Sequence, residues 1–480
     1  MDAKPLLPDG FHIASHFENY IQHIGPIEKN HQSLFAARLP LLLREGKVNN
    51  FPQFIKEVLS NFQKIHPLNL SKISCDVLIF SSSRKPSFQP TLDRLGEKLA
   101  QKDLRVIRFS PDRFETVNPS EKEINISSFP SMSKYIAFGG STFQFLLSFA
   151  SSFLDMLYLQ FRSQKMNREV QKILNNPFSL WYQLFLSRLR FRSLGHLLGL
   201  LQPKIIITNG DHVPFGAELA LLGEKKNIHT IWFFNEHPTT MVVPIISREV
   251  WVWNKTVADE LKKIQKGNMP LFTIVGNAQI DEILKKNYKV TQQEKHLKSK
   301  SFGKNVFLFL SEYDQNPVLN TGDLMRLSLE WIKRTARLFP HWFFLIKTRP
   351  YHEHISIPGS EDMQNYPNIK ITHEELKNLL NWDNLKVVVA CGSTGLYVSA
   401  GIGKYTLRFL PSKYSTRHRI IDEITVPIES VQSLIETLRK LSDSTNGKPK
   451  KGSYHSRDVF PHKRHVLDYM EARCFELLNG

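Results

Sequence analysis

Residues Leu385 to Gly403 read LKVVVACGSTGLYVSAGIG. A short valine-rich run ends on Cys391-Gly392-Ser393-Thr394-Gly395, and a second apolar stretch follows. An apolar run bounded in this way has the profile of a strand buried on both faces, as in a parallel sheet. Gly392 permits a tight strand-to-helix turn, and Ser393 and Thr394 are capping hydroxyls for the helix. Gly395 lets backbone N–H groups come close to a ligand. A helix N-terminus carries about half a positive charge, which suits a phosphate group. The segment contains neither the GK[ST] of a Walker A loop nor a GxGxxG fingerprint.

The same grammar extends outward in both directions. Upstream lie the strand candidates Asn305 to Leu310 (NVFLFL) and Trp342 to Lys347 (WFFLIK), with a helix predicted over Asp323 to Arg337 between them. Downstream come Tyr405 to Phe409 (YTLRF) and a helix at Ser430 to Leu441. Earlier in the chain, Cys75 to Phe80 (CDVLIF) and Leu104 to Phe109 flank a helical stretch and make one βαβ unit. Tyr135 to Phe138 is a short strand candidate, and Phe143 to Leu201 a long helical region. KIIIT (204–208), HTIWFF (229–234), EVWVW (249–253) and LFTIV (271–275) continue the pattern, with helices at Gly216 to Lys226 and Lys255 to Ile264.

This order predicts an α/β fold of two Rossmann-like domains preceded by a helical N-terminal segment. The expected divisions are a helical segment at 1–70, a first domain at 71–284 with a helical insertion at 140–202, and a basic linker at 285–304. A second domain follows at 305–460, and a C-terminal helix at 461–480 that can reach back over the first half. The linker is placed by seven Lys against one Glu and by its lack of apolar periodicity.

At 480 residues, and roughly 150 residues per domain, two or three domains are expected. Cys75, Cys391 and Cys474 are widely separated, so neither a disulfide framework nor a structural zinc site is read, and a reduced, cytoplasmic setting fits. The N-terminus lacks a basic region followed by an apolar stretch, so no secretory signal is read. The net charge is +18, from 63 Lys+Arg against 45 Asp+Glu. Such an excess is either solvated or faces something anionic: a phosphorylated substrate, lipid headgroups or nucleic acid. Nucleic acid ranks last, because no RNP, KH, helix-turn-helix or zinc-finger pattern accompanies the charge.

Ligands of open α/β sheets bind outside the carboxyl ends of the strands, so the residues that follow each strand are the candidates. They are Asn209-Gly210-Asp211-His212, Asn235-Glu236-His237, Thr348-Arg349-Pro350-Tyr351-His352 and the Gly392-to-Gly395 turn. Ends of this kind in both halves predict a cleft between them. Lys347 and Arg349 share one direction on an alternating strand and suit phosphate. Asp211 and His212 are the leading general-base candidates, with Glu236 and His237 second. Paired carboxylates at fixed spacing, a Cys-His set and a DxD-like metal motif are all missing near these ends, which favours chemistry with no metal and no further cofactor.

These pieces carry a resemblance. The run VWNKTVADELKK (Val252 to Lys263), then IVGNAQID (Ile274 to Asp281), LIKTRP (Leu345 to Pro350) and Gly392 to Lys404 resemble, in order and spacing, GT-B-fold bacterial surface-polysaccharide glycosyltransferases and the CDP-glycerol glycerophosphotransferase-like family. The resemblance implies a nucleotide-activated sugar held by the second domain, with Lys347, Arg349, Ser393 and Thr394 on its phosphate. It also implies a glycan or lipid-linked glycan acceptor, presented with its base by the first domain. Two positions depart from the pattern. Arg349 stands where the family has histidine, with His352 close by, and Tyr405 stands where a proline follows the Gly-Lys pair. A nucleotide-sugar 2-epimerase shares this arrangement and needs several acids at the sugar, for which Asp211, Glu236 and Glu312 offer themselves. A non-catalytic membrane or nucleic-acid-binding protein on the same fold is the third reading.

Residues 161–200 hold seven Lys/Arg against one Glu, and Phe178 to Leu201 mixes aromatics, leucines and three arginines. Such a helix is either amphipathic core or an interfacial helix on an anionic inner-membrane surface. Phe143 to Phe161 approaches spanning length but carries Asp155 centrally, which weighs against spanning.

Overall fold

The computed structural model describes residues 74–81, 89–110, 113–117, 150–154, 156–157, 177–211, 215–234, 245–265, 268–284, 296, 298, 300–301, 303–311, 321–348, 357–411, 419–443 and 465–479. The segment expected over 1–70 and the strand at Tyr135 to Phe138 lie outside the described residues. Two compact units divide the chain. One runs up to Gly276 and takes back His462–Gly480, and the other begins at Asn277.

In the first unit the elements are β1 (Val77–Phe80), α1 (Gln89–Ala100), β2 (Val106–Ser110), β3 (Arg113–Val117), α2 (Pro177–Leu201), β4 (Ile205–Thr208), α3 (Gly216–Lys225), β5 (His229–Phe233), β6 (Glu249–Val252), α4 (Lys255–Ile264) and β7 (Leu271–Ile274). They form a seven-stranded sheet in the order β3-β2-β1-β4-β5-β6-β7, parallel except for β3, which pairs antiparallel with β2. β1 is buried along its whole length because helices cover both of its faces. α1 lies over the Ile79 face, where a Cβ on Gly96 would sit 3.4 Å from Ile79. α2 and α3 close the Leu78 and Phe80 face through Leu194, Leu197, Leu198, Leu201, Leu219 and Leu222.

The described leucines of α2 thereby pack into the core of the first unit. Trp181 and Phe185 are buried and stack at 5.8 Å. Arg190 turns inward to Glu218 (3.2 Å) and lies over the Phe215 ring. No helix among the described residues is long and apolar enough to cross a membrane.

The final helix, α11 (Val466–Asn479), belongs to the first unit, where it packs against α1 and β4. Its anchor is Arg473, whose Nε and Nη2 donate to Glu249 Oε1 (3.1 Å) and Oε2 (3.0 Å). Glu249 is fully buried at the start of β6 and also meets His229 Nε2 (3.0 Å), Trp251 Nε1 (2.9 Å) and Thr273 Oγ1 (2.6 Å). Burial alone would raise its pKa, but hydrogen bonds from His229, Arg473, Thr273 and Trp251 outweigh that and hold it down at about 2. At the other end of the contact, Lys98 of α1 bridges Asp468 and Glu471, each at 2.6 Å.

The second unit holds α5 (Ala278–Leu284), β8 (Asn305–Leu310), α6 (Thr321–Leu338), β9 (Trp342–Lys347), β10 (Ile369–Thr372), α7 (Leu376–Leu380), β11 (Leu385–Ala390), α8 (Thr394–Gly401), β12 (Tyr405–Phe409), α9 (Arg419–Ile424), β13 (Val426–Ile428) and α10 (Val431–Asp443). Its six strands are all parallel, in the order β10-β9-β8-β11-β12-β13. The strand order reverses between β1 and β4 in the first sheet and between β8 and β11 in the second. These are the two switch points at which doubly wound sheets receive ligands.

The division at Gly276–Asn277 falls ahead of the Lys-rich stretch that marks the boundary in the sequence, and part of that stretch is built into the second unit. Ser301 is buried, and Asn384 Nδ2 donates to the Ser301 and Lys304 carbonyls, each at 3.1 Å. Lys298 lies 5.8 Å over the Trp382 ring. Lysine content misleads here, because the packing uses backbone carbonyls and one ammonium–ring contact.

Candidate functional site

The second switch point brings together the carboxyl ends of β8, β9 and β11. Lys347 closes β9 opposite Leu310 of β8 on one side and Thr372 of β10 on the other. β8 separates β9 from β11, so the Lys347 and Ala390 backbones are about two strand spacings, or ~10 Å, apart. A lysine side chain covers more than half of that distance.

At the end of β11 the chain turns through Gly392 and starts α8 at Thr394. Ser393 is the N-cap: its backbone is extended, and its Oγ accepts from the Gly395 N–H at 3.1 Å. Gly392, Ser393 and Thr394 are half-buried, so the turn keeps access to solvent. Gly395 itself is buried, and its requirement is packing. A Cβ there would lie 2.5 Å from Leu310 Cδ1 and 3.0 Å from Leu376 Cδ2. The missing side chain lets the helix terminus sit against the end of β8. Gly395→Ala is expected to cost about 1–3 kcal/mol by overpacking and to weaken any ligand held by the turn. Urea denaturation together with a binding titration reads both, and an alanine variant matching the parent in both would refute the packing argument.

Lys347 is nine-tenths buried, and its Nζ donates to the Thr348 carbonyl at 3.1 Å. Burial pushes its pKa down to about 8, with the nearby Glu375 and Glu374 carboxylates opposing. A cation in this setting is weakly hydrated and close to its titration point, so an arriving anion raises its charge as well as neutralising it.

Three residues that the sequence did not single out complete this edge. Thr348 Oγ1 shares a hydrogen bond with His373 Nδ1, which puts an imidazole at the end of β10 beside Lys347. Glu374 follows, buried, and accepts from Asn378 Nδ2 at 2.8 Å. Arg408, fully buried on β12, donates Nε to the Cys391 carbonyl at 2.9 Å and pairs with Asp422. It fixes the strand end from which the Ser393 turn departs. A signal for His373 exists in Ile371-Thr372-His373-Glu374-Glu375, but the short β10 before it does not read as a strand. Arg408 sits inside the YTLRF run, where nothing marks a buried cation. Lys404, the lysine of the Gly-Lys pair, donates to the Trp382 carbonyl at 2.8 Å and so ties down the entry to β11.

In the first unit the matching switch point lies between β1 and β4. Asn209 Nδ2 meets Ser81 Oγ at 3.4 Å. Asp211 follows at the same edge. Its carboxylate is fully buried and accepts from Ser247 N (2.6 Å), Ile246 N (2.9 Å), Ser247 Oγ (2.7 Å) and Thr208 Oγ1 (3.3 Å). A carboxylate bonded in this way holds the chain before β6 against the end of β4. Beyond it, Phe215 opens α3 with φ of 70°, a left-handed conformation that costs a bulky side chain energy and is met mostly at functional loops. His212, Glu236, His237, Glu312, Arg349 and His352 lie outside the described residues.

No protein-family model matches the chain, and no curated protein matches it in sequence. Solved structures do. The UDP-GlcNAc 2-epimerase of Neisseria meningitidis bound to UDP-GlcNAc superposes with a TM-score of 0.53 over 84% of this chain and 100% of its own, at 12% identity. This is the GT-B fold. A putative UDP-N-acetylglucosamine 2-epimerase from Listeria monocytogenes gives 0.52 at 11% identity, over 84% of this chain and 96% of its own. The Methanocaldococcus jannaschii UDP-GlcNAc 2-epimerase in complex with UDP-GlcNAc and UDP gives 0.50 at 11% identity, over 83% and 99%. At such identities the likeness carries the architecture and no more.

Proposed function

We propose that this chain is a nucleotide-sugar enzyme of the GT-B fold, and specifically a glycosyltransferase that hands a sugar from a nucleotide-activated donor to a glycan or lipid-linked acceptor. The observation that carries the reading is the half-buried Ser393-capped terminus of α8, at the same sheet edge as the buried Lys347. Both groups favour a phosphate with delocalised negative charge. In the proposed reaction the donor's C1–O bond to phosphate breaks as the acceptor oxygen bonds to C1. The acceptor proton passes to a base on the first domain, and the nucleotide leaves with the electron pair. Lys347 and the α8 terminus stabilise the charge that develops on its phosphate. With Asp211 saturated, the base role passes to Glu236, His237 or His212.

Epimerisation of the donor is the second reading, because the solved structures quoted above are 2-epimerases that bind UDP-GlcNAc. Transfer is preferred on one point. Of the carboxylates at the described strand ends, Asp211 and Glu374 are committed to internal hydrogen bonds and Glu375 pairs with Lys377, whereas moving a proton at sugar C2 calls for free acids near the ring.

A thermal-shift series with CMP, CDP, UDP, GDP and TDP tests the shared part of the proposal. One clear stabilising nucleotide is expected, and five flat traces would refute the nucleotide site. The double variant Ser393→Ala, Thr394→Ala is expected to bind that nucleotide about tenfold more weakly, from the loss of a cap and of hydroxyl donors. Unchanged affinity by calorimetry would remove the turn from the site. Donor incubated without acceptor separates the readings: a 2-epimer product points to epimerisation, and intact donor with slow hydrolysis to transfer.

A further inference from the structure

We propose, resting on the nucleotide-sugar reading and deepening it, that His373 determines specificity by donating its Nε2–H to a carbonyl oxygen of the donor's nucleobase. His373 stands at the carboxyl end of β10, and the chain holds it on both sides. Thr372 is buried, and its Oγ1 accepts from the Glu374 N–H at 3.1 Å, which sets the turn. Its carbonyl accepts from the Thr348 N–H at 3.0 Å and extends the ladder with β9. The ring is then fixed by the hydrogen bond between Nδ1 and Thr348 Oγ1. Thr348 is buried, and among the described residues its hydroxyl has Nδ1 as its one hydrogen-bond partner. A buried hydroxyl that meets a single acceptor gives its hydrogen to it, because an unpaired buried donor is costly. Nδ1 therefore accepts, and the ring hydrogen sits on Nε2. Nε2 has no hydrogen-bond partner among the described residues, and the half-buried ring leaves it open to a ligand.

Position and charge select the part of the nucleotide. The order β10-β9-β8-β11 puts His373, Lys347 and the Ser393 turn in a row along one carboxyl edge. His373 lies one strand spacing from Lys347 and three, or ~14 Å, from the turn. With the phosphates at the turn and Lys347, the nucleoside extends along the strand ends towards His373. The next two residues are acidic, and the Glu375 and Glu374 carboxylates both act on the Lys347 ammonium. Two carboxylates beside the imidazole disfavour a phosphate there and suit the uncharged end of the nucleotide. An imidazole N–H needs an acceptor, and uracil, thymine, cytosine and guanine each present a ring carbonyl.

The test uses the full chain and the nucleotide that stabilises it most in the thermal-shift series. Two substitutions separate the ring nitrogens. Asparagine places its amide near Nδ1 and keeps the Thr348 contact, whereas glutamine places its amide near Nε2 and keeps the donor. His373→Asn is expected to bind the nucleotide about three- to tenfold more weakly by calorimetry, and His373→Gln to bind it close to the parent. Affinity for inorganic pyrophosphate, which has no base, should be the same in all three proteins. A purely structural ring gives the reverse order, with asparagine tolerated and glutamine damaging, and that order overturns the proposal. So does an asparagine variant that binds like the parent, or one that loses pyrophosphate equally, since the ring would then touch phosphate. Flat traces for the parent with every nucleotide would fail the nucleotide reading itself and this inference with it, so the parent protein tells the two failures apart.

Discussion

Arg473→Ala is expected to destabilise the first domain by about 3–5 kcal/mol, the usual cost of stripping one partner from a buried ion pair. The argument lies in what is left behind. Glu249 is fully buried on β6, and Arg473 supplies two of its hydrogen bonds and its full positive charge. His229, Trp251 and Thr273 remain in the variant as hydrogen-bond partners, but the permanent charge of the guanidinium is gone. The loss also weakens the hold on α11, which keeps the ion pairs of Lys98 with Asp468 and Glu471.

The pH dependence gives an independent check. The folded pKa of Glu249 is held at about 2, below the ordinary 4.5. Its stabilisation is therefore fully present above the ordinary value and is lost as pH falls through the folded one. The difference between parent and variant should be largest near neutrality and shrink towards pH 3. Adding Glu249→Gln to the arginine variant should recover part of the stability, because no buried charge then lacks a partner. Urea unfolding followed by tryptophan fluorescence reads all three proteins. A loss below about 1 kcal/mol, or one that is the same at every pH, would mean that the pair is a surface contact in energetic terms.

Lys347→Met should separate binding from stability. Charge-assisted hydrogen bonds to phosphate contribute about 1.5–3 kcal/mol, so the nucleotide found by thermal shift should bind about 10- to 100-fold more weakly. Stability should move the other way or not at all. The lysine's folded pKa is lowered from 10.5 to about 8, so its buried charge is a burden below the folded value. That burden is relieved as pH rises from about 8 towards 10.5. Methionine removes it altogether.

A bound phosphate favours the protonated amine and raises its pKa. Parent affinity should therefore decline as pH rises through about 8. Lys347→Arg should abolish that decline, since a guanidinium stays charged throughout. Titrations at several pH values between neutrality and the ordinary lysine pKa are decisive. Parent affinity that ignores pH, or a methionine variant that binds normally, would take Lys347 out of the phosphate site.

What was legible in the sequence follows from how the strands are buried. β1, β4, β8, β9 and β11 are covered on both faces, so each appears as an apolar run that needs no periodicity to be recognised. β10 lies at a sheet edge, is buried only at its two ends, and carries the half-buried Lys370 and the exposed Ile371, so it does not read as an apolar run, and His373 is lost with it. The Ser393 cap was readable because capping is local: the hydroxyl bonds a backbone N–H two residues away. The division before Asn277 was not, because it depends on which sheet α5 packs against and not on the composition of the lysine-rich stretch.

The sequence by itself therefore determined the order of the strands that are covered on both faces, and the turn at the end of β11. Both rest on interactions within a few residues or on burial that any covered strand must have. Only the tertiary structure decided that Asp211 is a clamp, that Arg408 holds the Cys391 carbonyl, and that α11 returns to Glu249. In each case the charged group meets its partner across 17 or more residues of chain. A lone charge in a sequence looks the same whether it ends in water or in a buried pair, and only folding supplies the partner that removes it from solvent.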